Sequence, residues 1–320
     1  MKNIVLIVLT ALSTQLCANT NEDSLQIQNY YPLTKWLDEA PDCDACGCSA
    51  GNGSSGFETL LQSQFIGIKY FAQHYKAKEN AFVNHANFNQ YFNTMMIWTR
   101  IPITEKIEVY GSLPYHFHSR ETNFGKQKID GIGDASIMGI YQIWSKQTEK
   151  MNSHQLNIGA GVKIPLGKFD EESASGTNPS FQLGTGSWDF LMAANYRFQS
   201  GNSTIMLGAD YTLKGENEKK YEFGDQFNYS ALYNYYFIQK ENFILSAKTG
   251  VQGEIYQDNK QFQEVLPRTS GDALYGKLGF ELGYKKWSLG SELMLPVVSN
   301  LGSGDIEAKS RFSVFLNFGL

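Results

Sequence analysis

The cysteines Cys43, Cys46 and Cys48 form the sharpest chemical motif in the chain. Thiolates bind soft ions well, so one interpretation is a site for Cu or Zn. A disulfide between two of the three, with one thiol left over, is the alternative, because exported proteins meet oxidising conditions. Thiol–disulfide redox exchange is a third interpretation. No histidine or fourth cysteine stands close by in the sequence to complete a tetrahedral site, so the motif leaves these interpretations open.

Two histidines, His116 and His118, form a second pattern. Residues two apart in a strand share one face of the sheet. Both imidazoles can therefore meet the same ligand or metal ion, and a pair of solvated histidines without a ligand is the alternative.

Charged side chains recur at alternate positions along much of the chain, in both signs. If the chain forms a barrel, this face is the lumen, where the charges either line a passage for a substrate or neutralise one another in a packed interior. The residues predicted to line it are Lys69, Arg100, Glu108, His116, His118, Asp134, Lys163, Asp189, Arg197, Asp210, Lys248, Glu254, Lys277, Glu281 and Glu292.

The sequence lacks the common motifs of enzymes. It contains neither a Gly-x-Ser-x-Gly elbow nor a Ser/His/Asp order. The glycine-rich strings at 131–134 and 183–189 are followed by no helix that could bind a phosphate. We therefore predict no catalytic residue and no cofactor apart from Cu or Zn at the cysteines. The chain is slightly acidic, with a formal net charge of −5, and lacks a basic stripe, which excludes nucleic acid as a partner.

The first residues predict export. Lys2 precedes an apolar stretch from Ile4 to Leu12, and Ala18 is a small residue at a plausible cleavage site, so residues 1–18 have the layout of a signal peptide. No later segment reaches the run of about 20 apolar residues that a membrane-spanning helix needs.

From Gln64 onward the dominant pattern is alternation with a period of two, which is typical of strands. At the C-terminus Phe312, Val314, Leu316 and Phe318 share one face with Leu320. Such a final amphipathic strand resembles the signal by which the barrel-assembly machinery recognises its substrates. Counting the alternating segments gives about twelve strands, an even number that suits a barrel with both ends in the periplasm.

The connections alternate in predicted length. Long ones lie near 76–90, 119–130, 167–186, 215–226, 257–272 and 298–309, and shorter ones lie between them. This alternation is typical of outer-membrane barrels, which have short periplasmic turns and long outer loops. Aromatic residues expected in the interfacial girdles are Trp98, Tyr115, Trp144, Trp188, Tyr211 and Trp287.

The predicted fold class is all-β: a transmembrane antiparallel up-and-down β-barrel of about 12 strands over residues 64–320. Residues 19–63 form an irregular N-terminal segment that contains the cysteines and lies in the periplasm or plugs the lumen. Closure is expected because an unpaired backbone group in hydrocarbon costs several kcal/mol.

Three strings in the middle of the chain carry a family resemblance. Gly131-Ile132-Gly133-Asp134, the segment Gly161-Val162-Lys163-Ile164-Pro165-Leu166-Gly167 and Leu183-Gly184-Thr185-Gly186-Ser187-Trp188-Asp189 resemble the barrel family named for the meta-pathway of phenol degradation. The motifs span about the middle third of the chain, and the strand order spans most of the barrel. The usual Pro-Thr-Gly is Pro165-Leu166-Gly167 here, and the cysteine-rich segment lies outside the pattern. The resemblance implies an outer-membrane channel for small, often aromatic or apolar molecules, and it transfers no binding residue.

These observations support two main functions. The first is a channel in the Gram-negative outer membrane for passive uptake or efflux of small molecules, with outer-membrane lipid, the barrel-assembly machinery and a small-molecule substrate as partners. The second makes the barrel an anchor for a periplasmic Cu, Zn or partner site at Cys43, Cys46 and Cys48. An adhesive barrel is a third class.

Overall fold

The computed structural model describes residues 64–79, 86–122, 125–148, 152–170, 172–173, 176–177, 179 and 181–320. They form eighteen strands and one short 3-10 turn at Gly302–Gly304. No helix in these ranges is long and apolar enough to cross a membrane. The strands are β1 (Phe65–Glu79), β2 (Ala86–Pro102), β3 (Ile107–Thr122), β4 (Gly125–Ile132), β5 (Ala135–Thr148), β6 (Asn152–Ile164), β7 (Glu172–Ser173), β8 (Gly176–Thr177), β9 (Asp189–Ser200), β10 (Ser203–Leu213), β11 (Tyr221–Glu222), β12 (Gln226–Lys240), β13 (Phe243–Tyr256), β14 (Lys260–Gln261), β15 (Glu264–Val265), β16 (Gly271–Tyr284), β17 (Trp287–Leu301) and β18 (Ile306–Gly319).

Thirteen of these strands form one antiparallel sheet that closes on itself, because β1 pairs with both β2 and β18. Strands β4 and β5 follow one another along the same edge of β3 and act as one interrupted strand. The wall of the barrel therefore has twelve strands, and the predicted fold class is confirmed.

The interruption between β4 and β5 has a local cause. Pro114 of β3 lies opposite the break, and a proline cannot donate to a ladder. Gly133 instead donates its N–H to the Pro114 carbonyl over 3.0 Å. The break leaves Asp134 between two strands with its carboxylate buried, so the string 131–134 lies at the break in an interrupted strand.

Side chains alternate across the wall, apart from the register shifts at a few β-bulges. On β1, Ile66 and Ile68 are about half exposed on the outer face, whereas Lys69 and Gln73 are buried on the inner face. On β18, Phe312 and Leu316 likewise face outward. An apolar outer face and a polar inner face are the pattern of a barrel surrounded by lipid.

The two ends of the barrel differ. Tight turns join β9 to β10, β12 to β13 and β16 to β17 at the end where β1 begins and β18 finishes, which we call the turn end. The longer connections 165–188, 214–225 and 257–270 lie at the opposite end, which we call the loop end. Strands β11, β14 and β15 form a small sheet there. In this sheet the Glu222 carboxylate accepts a hydrogen bond from Lys260 and raises the pKa of that ammonium.

Several predicted loops are in fact strand. Residues 76–79, 86–90, 119–122 and 125–130 belong to β1, β2, β3 and β4, and β17 runs to Leu301. Towards the loop end the outer face of β1, β2 and β3 is polar: His74 stacks on Tyr91 with ring centroids 4.6 Å apart, and Asn89 donates to Glu121 over 3.0 Å. The strands lose their alternation of apolar and polar residues here because they pass beyond the apolar band, which is why the sequence suggested loops.

The expected aromatic girdle is partly wrong. Trp144, Trp188 and Trp287 have exposed side chains on the outer face, but Trp98 is only 1% exposed inside the barrel. Its ring packs against Phe65 at 4.6 Å and Phe315 at 5.7 Å between centroids. Trp98 therefore belongs to an apolar cluster inside the turn end.

Candidate functional site: a loop held inside the barrel

A buried ionic node joins three strands at the loop end. Lys163 of β6 places its Nζ 2.5 Å from Oδ2 of Asp189 and 3.5 Å from Oδ2 of Asp134. Asp134 also accepts hydrogen bonds from the backbone N–H of Gly167 at 2.9 Å and of Thr185 at 2.8 Å. Asp189 accepts from Ser187 Oγ at 2.9 Å. One lysine and two carboxylates thus tie the segment after β6 to the barrel wall.

Glycines allow this segment to pack against the chain that precedes it. A Cβ at Gly184 would lie 2.4 Å from Oδ1 of Asp134 and 2.7 Å from the Cα of Gly167. A Cβ at Gly131 would lie 2.8 Å from Cδ1 of Leu183. The three strings that carry the family resemblance therefore meet in space, and a Cβ at Gly161, Gly167 or Gly184 would collide with backbone atoms.

The segment 181–187 lies inside the barrel and is buried except at Gly186. Its side chains Phe181 and Leu183 pack into an apolar cluster contributed by many strands of the wall. That cluster, which we call the loop-end cluster, comprises Tyr75, Ala77, Phe92, Ile129, Phe181, Leu183, Tyr256, Ala273, Tyr275, Met294, Leu301, Ile306 and Ala308. Apolar and aromatic groups thus fill part of the lumen at the loop end, beside the ionic node.

A second buried network borders the loop-end cluster. Arg311 makes a bidentate pair with Glu254, at 2.5 Å for Nη1–Oε1 and 2.8 Å for Nη2–Oε2. Tyr75 accepts from Arg311 Nη2 at 2.7 Å, and Tyr256 donates to Glu254 at 2.7 Å. The Arg311 guanidinium also stacks over the ring of Tyr275, 4.2 Å from its centroid. Charge and hydrogen-bonding capacity are therefore satisfied locally.

Two further groups of charges are also paired. Glu292 of β17 bridges Lys248 and Lys277, with 3.1 Å to the Nζ of Lys277. Arg100 and Glu108 form a pair at 2.7 Å nearer the turn end. Such pairs hold opposite charges together in the lumen, and removing one partner leaves the other buried and unpaired.

All fifteen residues predicted to line a passage lie on the inner face of the wall. Twelve are buried, and Glu108, Arg197 and Asp210 are partly exposed. Asp134, Lys163 and Asp189 come together at the ionic node, Lys248, Lys277 and Glu292 form a second group, and Arg100 pairs with Glu108. Glu254 pairs with Arg311, and Asn228 donates to Asp210 over 2.6 Å. Lys69 lies over the ring of Trp98, with its Nζ 5.5 Å from the centroid.

The two histidines are adjacent on β3, with ring centroids 4.6 Å apart. His116 Nδ1 and the Thr94 hydroxyl are hydrogen-bonded at 2.8 Å. No group of three or more His, Cys, Asp or Glu side chains within the described ranges could hold a metal ion. The cysteines Cys43, Cys46 and Cys48, the predicted signal peptide 1–18 and the segment 19–63 lie outside the described residues, so a Cu or Zn site there stays a prediction.

The sequence analysis missed Arg311, Phe181 and Leu183. Arg311 alternates with the outward Phe312, so the period of two could have placed it on the inner face. Phe181 and Leu183 stand in a connection without periodicity, and no sequence signal indicated that it turns inward.

These features define a class of protein: a closed antiparallel barrel with an apolar outer face, whose lumen contains one of its own loops. The chain belongs to the family described as "Putative MetA-pathway of phenol degradation", which matches residues 85–286. This range contains all three strings that meet at the ionic node, and the resemblance they suggested is confirmed.

Solved structures have a similar fold. An outer membrane channel from Pseudomonas putida F1 is 12% identical, with a TM-score of 0.60 over 83% of this chain and 98% of that chain. The beta domain of the Bordetella autotransporter BrkA is 8% identical, with a TM-score of 0.47 over 81% of this chain and 100% of that chain. The translocator domain of the autotransporter NalP from Neisseria meningitidis is 10% identical, with a TM-score of 0.44 over 82% and 90%. No curated protein sequence matches the chain.

Proposed function

We propose that the protein is a channel of the Gram-negative outer membrane through which small apolar or aromatic molecules pass without an energy source. The family description refers to phenol degradation, and the barrel from P. putida with a similar fold is described as an outer membrane channel. Transport without catalysis agrees with the sequence, which offers no recognised catalytic motif.

The outer face supports the location. Large apolar side chains such as Ile97, Phe190 and Leu289 are about half exposed on the outside of the wall. Exposed apolar surface on this scale is unfavourable in water and is stabilised by outer-membrane lipid. Export through the signal peptide and insertion by the barrel-assembly machinery are parts of the same proposal.

The observation that carries the proposal is the loop-end cluster. Phe181 and Leu183 are held inside the barrel among aromatic rings of the wall, such as Tyr75 and Phe92. A solute that enters at this end therefore meets apolar and aromatic groups, which favour an apolar or aromatic molecule over an ion. The paired charges deeper in the lumen, among the fifteen predicted lining residues, complete the proposed passage.

Uptake by whole cells tests the proposal. Cells with an intact outer membrane that express the chain should take up N-phenyl-1-naphthylamine, an apolar aromatic dye that fluoresces in lipid, faster than cells with an empty vector. Equal uptake, with the barrel folded in the outer membrane, would contradict the proposal.

Phe181→Ala tests the position of the passage. Removing the ring widens the lumen at the loop-end cluster, so we expect higher ion conductance in planar bilayers. Phe262→Ala is the matched control, because Phe262 is 67% exposed at the tip between β14 and β15. Unchanged conductance in Phe181→Ala would show that the route does not pass this ring.

A further inference from the structure

His118 is a buried imidazole that lacks a hydrogen bond. It is 3% exposed, and neither Nδ1 nor Nε2 has a hydrogen-bond partner among the described residues. The backbone of Asn93 lies near the ring but does not meet hydrogen-bonding geometry. His116, two residues away, is bonded to Thr94. Leaving a buried polar group unpaired is unfavourable. A hydrogen bond from a ligand's polar group to His118 would therefore stabilise the complex.

Apart from the His116 ring, whose centroid is 4.6 Å away, the cross-strand neighbours of His118 are apolar or aromatic. In the strand register it stands between Phe92 of β2 and Ile129 of β4, which are also buried on the inner face. The Phe92 ring meets the His118 ring edge to face, with centroids 5.0 Å apart. A small number of polar groups among apolar and aromatic side chains is a typical arrangement for orienting a small ligand.

The inward loop supplies one side of this arrangement. Phe181 packs against Phe92 with centroids 6.3 Å apart, and the Arg120 guanidinium lies 4.6 Å from the Phe181 centroid. The place filled by the Phe181 ring is therefore suited to an aromatic group, with another ring on one side and a cation on the other.

We propose that His118, Phe92 and Arg120 form a binding subsite for an aromatic molecule that carries a hydroxyl group. The molecule's ring competes with the Phe181 ring, and its hydroxyl donates to the acceptor nitrogen of the neutral imidazole. An aromatic molecule without a hydroxyl leaves that nitrogen unpaired and binds more weakly. This inference rests on the proposed function and adds the chemical class of the solute.

NMR of protein labelled with ¹⁵N-histidine, folded in detergent micelles, tests the subsite directly. Phenol and toluene are nearly equal in shape and differ in the hydroxyl. We expect phenol to shift the His118 ring nitrogens, identified by their loss in His118→Phe, and toluene at the same concentration to shift them much less. If phenol shifts them no more than toluene does, the proposal is wrong.

Uptake by cells gives a second readout with a matched control. The uptake ratio of 1-naphthol to 1-methylnaphthalene should fall about three- to tenfold in His118→Phe, as expected for one net hydrogen bond. His154→Phe is the same change at a histidine that is bonded to Tyr196 at 2.7 Å and packs beside Trp144, and it should leave the ratio unchanged. An unchanged ratio in His118→Phe would mean that His118 does not select the hydroxyl.

The two proposals fail differently. If N-phenyl-1-naphthylamine enters expressing cells no faster than control cells, the channel itself is wrong. If the dye enters normally while both hydroxyl readouts are insensitive to His118→Phe, the channel stands and the subsite is rejected.

Discussion

Lys163 and Asp189 are directly paired residues of β6 and β9, and their side chains form a buried ion pair with 2.5 Å between Nζ and Oδ2. The connection 165–188 begins just after the lysine and ends just before the aspartate. The pair therefore closes the base of the loop that enters the barrel, and Asp134 ties the loop at two further points.

Lys163→Met should destabilise the barrel by about 3–5 kcal/mol, because it leaves two carboxylates buried without a cation. The loss can be measured as a lower temperature for unfolding of the barrel in detergent. Lys260→Met is the control: it breaks the exposed pair with Glu222 and should cost less than about 1 kcal/mol. Similar losses in the two variants would contradict a special role for the node.

Asp134→Asn should release the inward loop. The ionised carboxylate of Asp134 accepts hydrogen bonds from the N–H groups of Gly167 and Thr185, and each such bond contributes about 1.5–3 kcal/mol. An asparagine keeps the shape of the side chain but loses its charge. In a variant without native cysteines, Leu183→Cys should react slowly with a maleimide and much faster once Asp134→Asn is added.

The control for this release is Asp130→Asn, which changes an exposed carboxylate of β4 that is bonded to Tyr115. It should leave the labelling rate of Leu183→Cys unchanged. Equal acceleration by both asparagine substitutions would mean that a general loosening of the wall, and not the Asp134 anchor, exposes the loop.

Gly184→Ala should destabilise the barrel by about 1–3 kcal/mol, as overpacking of a tight site does. The new methyl would collide with Asp134 and with the backbone of Gly167. Gly139→Ala is a matched control on β5, since its nearest contact would be the Ala160 carbonyl at 3.9 Å. Thermal unfolding that is equal for the two alanine variants would argue against the tight contact.

The pair Arg311–Glu254 should behave as a coupled unit. Arg311→Met alone leaves a buried carboxylate and should cost about 3–5 kcal/mol. Adding Glu254→Gln removes that charge and should restore part of the loss, giving a coupling of about 1–3 kcal/mol. Denaturant unfolding of the wild type, both single variants and the double variant measures it, and strictly additive losses would refute the coupling.

The period of two predicted the wall and the inner face well, because alternation is a direct consequence of strand geometry. It placed Lys163 and Asp189 inside, and the up-and-down order makes their strands neighbours, but their pairing also depends on the register of β6 against β9. The same period places Trp98 on the inner face, because it shares that face with Arg100. The prediction that Trp98 belongs to the girdle was wrong because it considered only the residue type.

The inward path of 181–187 was not predictable in the same way. Phe181 and Leu183 show no alternation, and their position depends on contacts between the backbones of Gly167 and Gly184, which are distant in sequence. The glycine strings identified the family before they explained the fold. Their physical role is to let three segments that are distant in sequence pack against one another.

The polar extensions of β1, β2 and β3 lie beyond the apolar band. Seventeen residues in β2, at about 3.3 Å each and tilted by roughly 40°, rise about 43 Å, well above an apolar band of about 25 Å. In the proposed setting, the mouth of the barrel stands among the sugars that coat the cell. An apolar solute then reaches the interior of the barrel without first dissolving in that carbohydrate layer.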